Sequence, residues 1–190
     1  MKTKALKFRI IACDPGKKNG ALVHLDTKNK VIYYGAMPPK LQGVVDFLRL
    51  VQTPKAARFY YEFLTYAQGG RRDSEGNFIR LSNPRSMGVL GENVGDLKGT
   101  ATALGMKVVP VLPQRWQRTV GAYETGLTSS GIGYQKWKRH LKVIAQELFP
   151  QIRVTLITAD ALLIALYAYR TEMEDNSLTL EDWKAILVKP

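Results

Sequence analysis

Three acidic residues stand in apolar surroundings, where an ionised side chain needs a partner. Asp14 ends the segment Ile-Ile-Ala-Cys-Asp, Glu62 interrupts Phe-Tyr-Tyr-Glu-Phe, and Asp160 begins Asp-Ala-Leu-Leu-Ile-Ala-Leu. Burying a carboxylate without a partner costs several kcal/mol, so each one requires a hydrogen bond, a cation or a metal ion. Taken singly, each has a simpler explanation: a turn residue, a solvent-facing strand residue and an acid at a helix N-terminus.

The chemistry of these acids depends on whether the fold brings them together. A set of three carboxylates without a neighbouring His or Cys favours Mg²⁺ or Mn²⁺ over zinc. Two such ions, about 3.5–4 Å apart, activate a water and stabilise the leaving oxygen of a phosphodiester. His24 and His140 have no clustered partners in the sequence, and we assign neither a metal role.

The hydrophobic pattern predicts the elements that would position the acids. Apolar runs near residues 8–13, 20–25 and 31–37 predict three antiparallel strands, followed by a helix over 41–51 and a strand over 57–64. If the first and fourth strands are neighbours and the last helix packs across them, the three acids converge.

The second half of the chain adds helices and two further strands. The pattern predicts helices from Ser86 to Leu104, over 134–149 and over 159–169, with a short helix opening at Pro113. It predicts strands over 107–112 and 153–156. We expect one domain over 1–190, with a short C-terminal helical extension over 171–190.

Composition and charge narrow the class of protein. The 190 residues are 45% hydrophobic with a formal charge of +12, which predicts a folded domain and a polyanionic partner. A basic surface kept only for solubility is the alternative. The single cysteine, Cys13, argues against a disulfide framework or a Cys-rich zinc site. No run of 18 apolar residues occurs and no signal-peptide core is recognisable, so we expect no membrane partner and a cytoplasmic protein.

Four segments in order carry a resemblance to a known family. They are Asp14-Pro15-Gly16 with Gly20-Ala21, Glu62 on the fourth strand, Pro113-Gln114-x-Trp116-Gln117-x-x-Val120-Gly121, and Ala159-Asp160-Ala161-Leu162-Leu163-Ile164-Ala165. Together they resemble RuvC-type Holliday-junction resolvases, particularly the phage and organelle versions, over about residues 8–169.

The resemblance implies both a fold and an activity. It implies an α/β, RNase H-like fold with a central mixed five-stranded sheet flanked by helices. It also implies a homodimer that resolves four-way DNA junctions by Mg²⁺- or Mn²⁺-dependent paired nicking, with two ions and with Asp14, Glu62 and Asp160 as catalytic metal ligands. A role in DNA recombination and DNA repair follows from that activity.

One position departs from the family pattern. Family members commonly carry another acid, or a histidine, three or four residues before the last Asp, where this chain has Ile157 and Leu156. Thr158 is a candidate for the missing ligand, as are a backbone carbonyl, water or a DNA phosphate oxygen.

Basic residues that flank the acids are the expected phosphate contacts. The candidates for DNA binding are Lys17, Lys18, Arg71, Arg72, Arg80, Arg85, Lys136, Lys138, Arg139 and Lys142. By resemblance, Lys136 and Lys138 occupy the region near the scissile phosphate. Tyr66 and Phe78, in the long loop after Glu62, are candidates for a wedge that opens the junction, with core packing as the alternative.

The helix from Ser86 to Leu104 is the expected dimer surface. Gly88, Gly91, Gly95 and Gly99 leave a stripe without side chains, which permits close backbone approach. By resemblance, this helix forms the two-fold interface, and the alternative is a helix packed only on its own sheet.

Other functions stay open at the level of sequence. A catalytically weak or inactive protein that only binds branched DNA, or an RNase H-like nuclease acting on another nucleic acid, would need the same basic surface. A sugar-kinase or actin type of ATPase is disfavoured, because 190 residues hold one lobe and no second phosphate loop.

Overall fold

The structure is a computed structural model, and it describes most of the chain. The described residues are 9–27, 29–51, 54–63, 70–72, 75, 78–80, 84–124, 126–127, 133–172 and 187–189. In the short strands of residues 70–72, 78–80 and 187–189, the backbone alone is described.

Strands occupy the first part of the chain, and helices dominate the rest. The strands are β1 Arg9–Asp14, β2 Ala21–Asp26, β3 Val31–Ala36, β4 Ala57–Glu62, β5 Gly70–Arg72, β6 Phe78–Arg80, β7 Lys107–Val111 and β8 Leu187–Lys189. The helices are α1 Leu41–Arg49, α2 Pro84–Ala103, α3 Pro113–Thr119, α4 Tyr134–Leu148 and α5 Ala159–Glu172.

The main sheet runs in the order β7-β4-β1-β2-β3-β8. Strands β1, β2 and β3 form an antiparallel meander, whereas β4 lies parallel to β1 and β7 lies parallel to β4. The predicted mixed five-stranded sheet flanked by helices is confirmed. The short strand β8 is added parallel to β3 at one edge.

Each face of the sheet has its own hydrophobic core. Helices α3, α4 and α5 contribute to the core on one face, where Trp116, Trp137 and Phe149 are buried. Helices α1 and α2 cover the other face around Leu48, Phe59 and Leu97. Strand β1 therefore supplies alternate residues to two cores, which explains why its sequence reads as an uninterrupted apolar run.

Helix α5 is the most deeply buried helix of the described residues, and its C-terminal end is bonded to β4. Every residue from Ala159 to Leu166 is buried, and the helix packs on β1 and β2. At its C-terminal end, Glu172 accepts a hydrogen bond from the Tyr60 hydroxyl and pairs with Arg58, 3.1 Å away. These contacts tie the last described turn of α5 to β4.

One predicted element differs from the structure, and a second is described only in part. The expected strand over 153–156 is not formed, because this segment makes the turn that leads into α5; the Gln146 side chain bonds to the backbone at Ile152 and Val154. Of the expected helical extension over 171–190, only residues 171–172 and 187–189 are described, and the extension as a whole stays a prediction. Helix α5 ends at Glu172, and residues 187–189 pair with β3 as a strand.

None of the helices in the described part of the chain combines the length and the apolar character that a bilayer crossing requires.

Candidate active site

Asp14 and Glu62 end two adjacent parallel strands. Cys13 of β1 pairs with Tyr61 of β4, so the next residue of each strand is the acid. Side chains alternate between faces along a strand. Ala12 and Tyr60 belong to the core under α5, so Asp14 and Glu62, two residues on, lie on that same face. The predicted adjacency of the first and fourth strands is confirmed.

Asp160 reaches this place from the first turn of α5. Thr155 and Thr158 close the turn before the helix: each backbone N–H donates to the other residue's hydroxyl oxygen, at 3.0 and 3.1 Å. This exchange stabilises the helix start as a capping motif does. The Thr158 hydroxyl is therefore engaged in the turn, and its expected role as a metal ligand stays a prediction.

The three carboxylates are buried and repel one another. Asp14, Glu62 and Asp160 are 8%, 8% and 3% exposed. Burial, and then the charge of Asp160, raises the pKa of Asp14 to about 6. Burial and the neighbouring Asp14 and Asp160 raise the pKa of Glu62 to about 8. Burial also raises the pKa of Asp160, although Lys138 opposes the shift. The site therefore concentrates negative charge where water solvates it poorly.

Lys138 lies among these acids. Its ammonium group donates a hydrogen bond to Asp160 Oδ2 and is 3.9 Å from Asp14 Oδ2. Burial alone would lower the pKa of Lys138, but Asp160 and Asp14 raise it above its ordinary value. The sequence predicts Lys138 to be a DNA contact, whereas the structure places its charge against two acids.

Two further residues contact the strand ends, and neither is among the site residues predicted from the sequence. The buried Trp116 Nε1 donates to Glu62 Oε1 over 3.2 Å. The buried Asn93 of α2 donates to the carbonyl oxygen of Pro15 over 2.6 Å. Trp116 is part of the hydrophobic core, so its apolar surroundings in the sequence do not indicate a contact with Glu62. Asn93 shares the buried face of α2 with Leu97 and Ala101. A polar residue at helical spacing from apolar ones indicates a buried hydrogen bond, and this spacing is visible in the sequence.

Glycines allow the turn after Asp14 to stay tight. The Gly20 N–H donates to the Gly16 carbonyl over 2.8 Å, and the Gly16 N–H donates to Asp14 Oδ1 over 3.3 Å. A Cβ on Gly20 would overlap the carbonyl oxygens of Asp14 and Gly16. The exposed Lys17 and Lys18 lie between these glycines, beside the acidic end of β1.

The other predicted DNA contacts fall into two groups. On α4, Lys136 and Arg139 are exposed and Lys142 is half-buried; Arg85 is exposed at the start of α2. Arg71, Arg72, Arg80 and the candidate wedge residue Phe78 belong to the separate two-stranded ribbon of β5 and β6, and only their backbone is described. Tyr66 lies outside the described residues.

The donor set fits a divalent cation in its chemistry. Three carboxylates are brought to one place, and the buried Asp160 Oδ1 has no hydrogen-bond partner. In the part of the chain that the structure describes, however, no three acidic, His or Cys side chains are close enough to hold one ion. The Lys138 ammonium contacts both Asp14 and Asp160 at this place. The assignment of Asp14, Glu62 and Asp160 as metal ligands stays a prediction.

Comparison with solved structures identifies the fold. A Thermus thermophilus RuvC structure in complex with a Holliday junction substrate matches 87% of this chain and 96% of its own, with a TM-score of 0.53 and 14% sequence identity. A second Thermus thermophilus RuvC structure matches 88% of this chain and 97% of its own, with a TM-score of 0.52 and 13% identity. The chain therefore has the RuvC-like, RNase H-like fold.

Comparisons of the amino-acid sequence identify no family for this chain. No protein-family model matches the chain, and no curated protein matches it. The likeness is one of fold, and the function has to be argued from the site.

Proposed function

We propose that this chain is a Mg²⁺- or Mn²⁺-dependent endonuclease that resolves four-way DNA junctions. The observation that carries the proposal is that Asp160, on the first turn of α5, approaches Asp14 and Glu62 at the carboxyl ends of two parallel strands, within a RuvC-like fold. The excess of basic side chains over the whole sequence supports a nucleic-acid substrate.

The residues divide the work of phosphodiester hydrolysis among them. When bound, divalent cations lower the pKa of the attacking water and stabilise charge on the leaving oxygen. Asp14, Glu62 and Asp160 supply the carboxylate oxygens that bind such ions. The Trp116 N–H orients Glu62, and the turn after Asp14 fixes that carboxylate through the Gly16 N–H. The exposed Lys17, Lys18, Lys136 and Arg139 bind backbone phosphates.

Two active sites are needed to cut two strands, so the proposal includes a homodimer. Helix α2 buries Asn93, Leu97 and Ala101 against the sheet. On the same helix, a Cβ added to Gly88, Gly95 or Gly99 would meet nothing within 4 Å. The open glycine positions support pairing of α2 with its copy in a second chain, as a two-fold interface requires.

Cleavage of synthetic DNA tests the proposed function. We expect Mg²⁺ or Mn²⁺ to support symmetrical nicking of a four-way junction, with much weaker cutting of duplex, flap and single-stranded controls. Chelation by EDTA should stop the reaction. Cutting that persists in EDTA would contradict the metal mechanism, and preference for a single strand or an RNA hybrid would reassign the substrate.

A second candidate function is junction binding without cleavage. The specific observation in its favour is that Lys138 already pairs with Asp160 and lies 3.9 Å from Asp14. In addition, Ile157 and Leu156 stand where the resembled family has a fourth ligand. Under this alternative the protein binds junctions tightly, and added Mn²⁺ changes neither the binding nor the DNA.

A further inference from the structure

The position of Lys138 is difficult to reconcile with a metal ion bound at the same acids. Its ammonium lies between Asp160 and Asp14, paired with Oδ2 of the first and 3.9 Å from Oδ2 of the second. A cation that bridges these two carboxylates needs the space and the negative charge that the lysine uses. Two cations in one such place repel strongly because the site is largely shielded from water.

The lysine has the freedom to leave. Its side chain is 20% exposed, whereas that of Asp160 is only 4% exposed. Four methylene groups give the ammonium a reach of several ångströms without movement of α4. One turn earlier on that helix, the exposed Tyr134 places its ring centroid 5.8 Å from the Lys138 nitrogen. Lys136 and Arg139, which flank Lys138 in sequence, are exposed on the same helix.

A backbone phosphate is the alternative partner that this surface would attract. A lysine ammonium binds phosphate as a point charge, and the flanking basic residues attract the phosphate to this surface. A lysine that pairs with phosphate no longer neutralises Asp14 and Asp160, so their affinity for a divalent cation increases. Because binding free energies are reciprocal, a metal ion would increase the affinity for DNA by the same factor.

We propose that Lys138 closes the metal site in the DNA-free protein and that a DNA phosphate opens it by drawing the ammonium away from Asp14 and Asp160. This inference rests on the proposed function, since it requires both a metal and a DNA ligand. It adds that metal loading and DNA binding are coupled through one side chain. Lys138 is thus a positioning residue as well as a phosphate contact.

Metal binding to the DNA-free protein is the first test. Free Mn²⁺ is measured by electron paramagnetic resonance during titration of the full chain and its variants. Lys138→Met should bind Mn²⁺ about tenfold more tightly than the wild type, within the usual range of coupling factors. Lys136→Met removes the same charge two residues away and should change the affinity less than about twofold. Lys138→Arg keeps the charge and should retain the weak binding.

The coupling to DNA is the second test, and it does not require cleavage. Affinity for a fluorescent four-way junction is measured in EDTA and in Ca²⁺, for the wild type and the same variants. We expect Ca²⁺ to tighten wild-type binding several-fold and to have a much smaller effect on Lys138→Met. Lys138→Gln serves as a second variant if circular dichroism shows that Lys138→Met is unfolded.

The outcomes separate this inference from the proposed function. If Lys138→Met binds Mn²⁺ no more tightly than Lys136→Met, or keeps the full effect of Ca²⁺ on DNA binding, Lys138 does not close the site. The metal site itself is tested by Asp160→Asn. Undiminished Mn²⁺ binding in that variant would contradict the proposed metal ligands, whatever Lys138 does.

Discussion

At the residue scale, the buried acids oppose the stability of the protein that carries them. The raised pKa values of Asp14 and Glu62 mean that their ionised forms are less stable in the folded chain than in water. Lys138 offsets part of this repulsion, and a divalent cation would offset more. Such an arrangement is typical of a site that binds charge rather than of a structural ion pair.

We predict that Asp14→Asn, Glu62→Gln and Asp160→Asn each reduce junction cleavage at least about 100-fold, equivalent to about 2.7 kcal/mol in the barrier. Each change removes a metal ligand while keeping the size of the side chain, so the fold and junction binding should persist. Without metal, the melting temperatures of Asp14→Asn and Glu62→Gln should stay equal or rise, because a repelling charge is lost. Asp160→Asn also removes the ion-pair partner of Lys138 and should bring no gain in stability. Cleavage assays and thermal unfolding check this.

Thr158→Ala is the companion to that series. Its hydroxyl closes the turn before α5, so we expect a smaller loss of cleavage than for Asp160→Asn and a modest loss of stability. Full cleavage by Asp160→Asn would contradict the assignment of α5 to the site. Losses of activity that only follow the folded fraction would indicate structural acids.

The buried His24 has a second electrostatic effect, which concerns the stability of the fold and not the proposed chemistry. It is buried on β2, stacks on Tyr33 with 5.4 Å between ring centroids, and has no hydrogen bond to either ring nitrogen. Burial lowers its pKa from 6.5 to about 4; Asp26 opposes this shift and Arg9 adds to it.

We therefore predict that His24 makes folding less favourable in acid. Between about pH 6.5 and about pH 4 the unfolded chain binds a proton that the folded chain does not, so the free energy of unfolding falls by up to about 3 kcal/mol as pH decreases. Asp14 and Glu62, with raised pKa values, act in the opposite direction over this range. Urea unfolding of the wild type and His24→Phe isolates the histidine: their difference should depend on pH. A constant difference would contradict the prediction.

At the scale of elements, each helix around the site has a separate task. Helix α5 carries Asp160, α3 carries the Trp116 that binds Glu62, and α4 carries Lys138. Helix α2 contacts the turn after Asp14 through Asn93 while its glycine positions face open space. The proposed dimer helix is thus bonded directly to the loop of the proposed metal site.

Helix α2 allows stability and association to be tested apart. We predict that Gly95→Leu stabilises the monomer by up to about 1 kcal/mol, because leucine favours helix and its Cβ meets nothing. It should weaken the homodimer, since the added side chain prevents close approach of two helices. Sedimentation velocity measures the association, and thermal unfolding at low protein concentration measures the stability of the monomer. Gly95→Ala is the control with a smaller added side chain. A dimer that survives Gly95→Leu unchanged would move the interface elsewhere.

At the scale of the whole molecule, basic charge should determine how DNA binding depends on salt. The exposed Lys136 and Arg139 lie on α4, beside the acidic end of β1 and β4. We predict that replacing both with alanine reduces the slope of log K against log salt by up to about two phosphate contacts. Anisotropy titrations with a four-way junction at several salt concentrations measure this slope.

The control for that experiment removes two positive charges at the opposite ends of the strands, away from the acids. Lys55 and Lys107 are exposed at the amino ends of β4 and β7, away from the acids. Their double alanine variant should keep the wild-type slope. Equal slopes for all three proteins would exclude the α4 residues from the DNA surface.

Local pattern was sufficient to predict most elements of the fold. The first five strands of the main sheet and the four longer helices follow from hydrophobic periodicity. The burial of the three acids follows from their position in apolar runs. The failures have local causes. The segment 153–156 has strand-like composition, but Gln146 bonds to its backbone. The strand at 187–189 depends on pairing with β3, which is distant in sequence.

What the sequence alone determined was which residues are candidates for the proposed chemistry; only the tertiary structure decided which of them meet. Periodicity assigns Asp14 and Asp160 to the ends of elements and Glu62 to the interior of a strand over 57–64, because burial of apolar neighbours is a local property. It cannot show that Trp116 binds Glu62, that Asn93 binds the Pro15 carbonyl, or that Lys138 lies between two acids. Those contacts join residues 22 to 124 positions apart, and their distances depend on how the helices pack on the sheet.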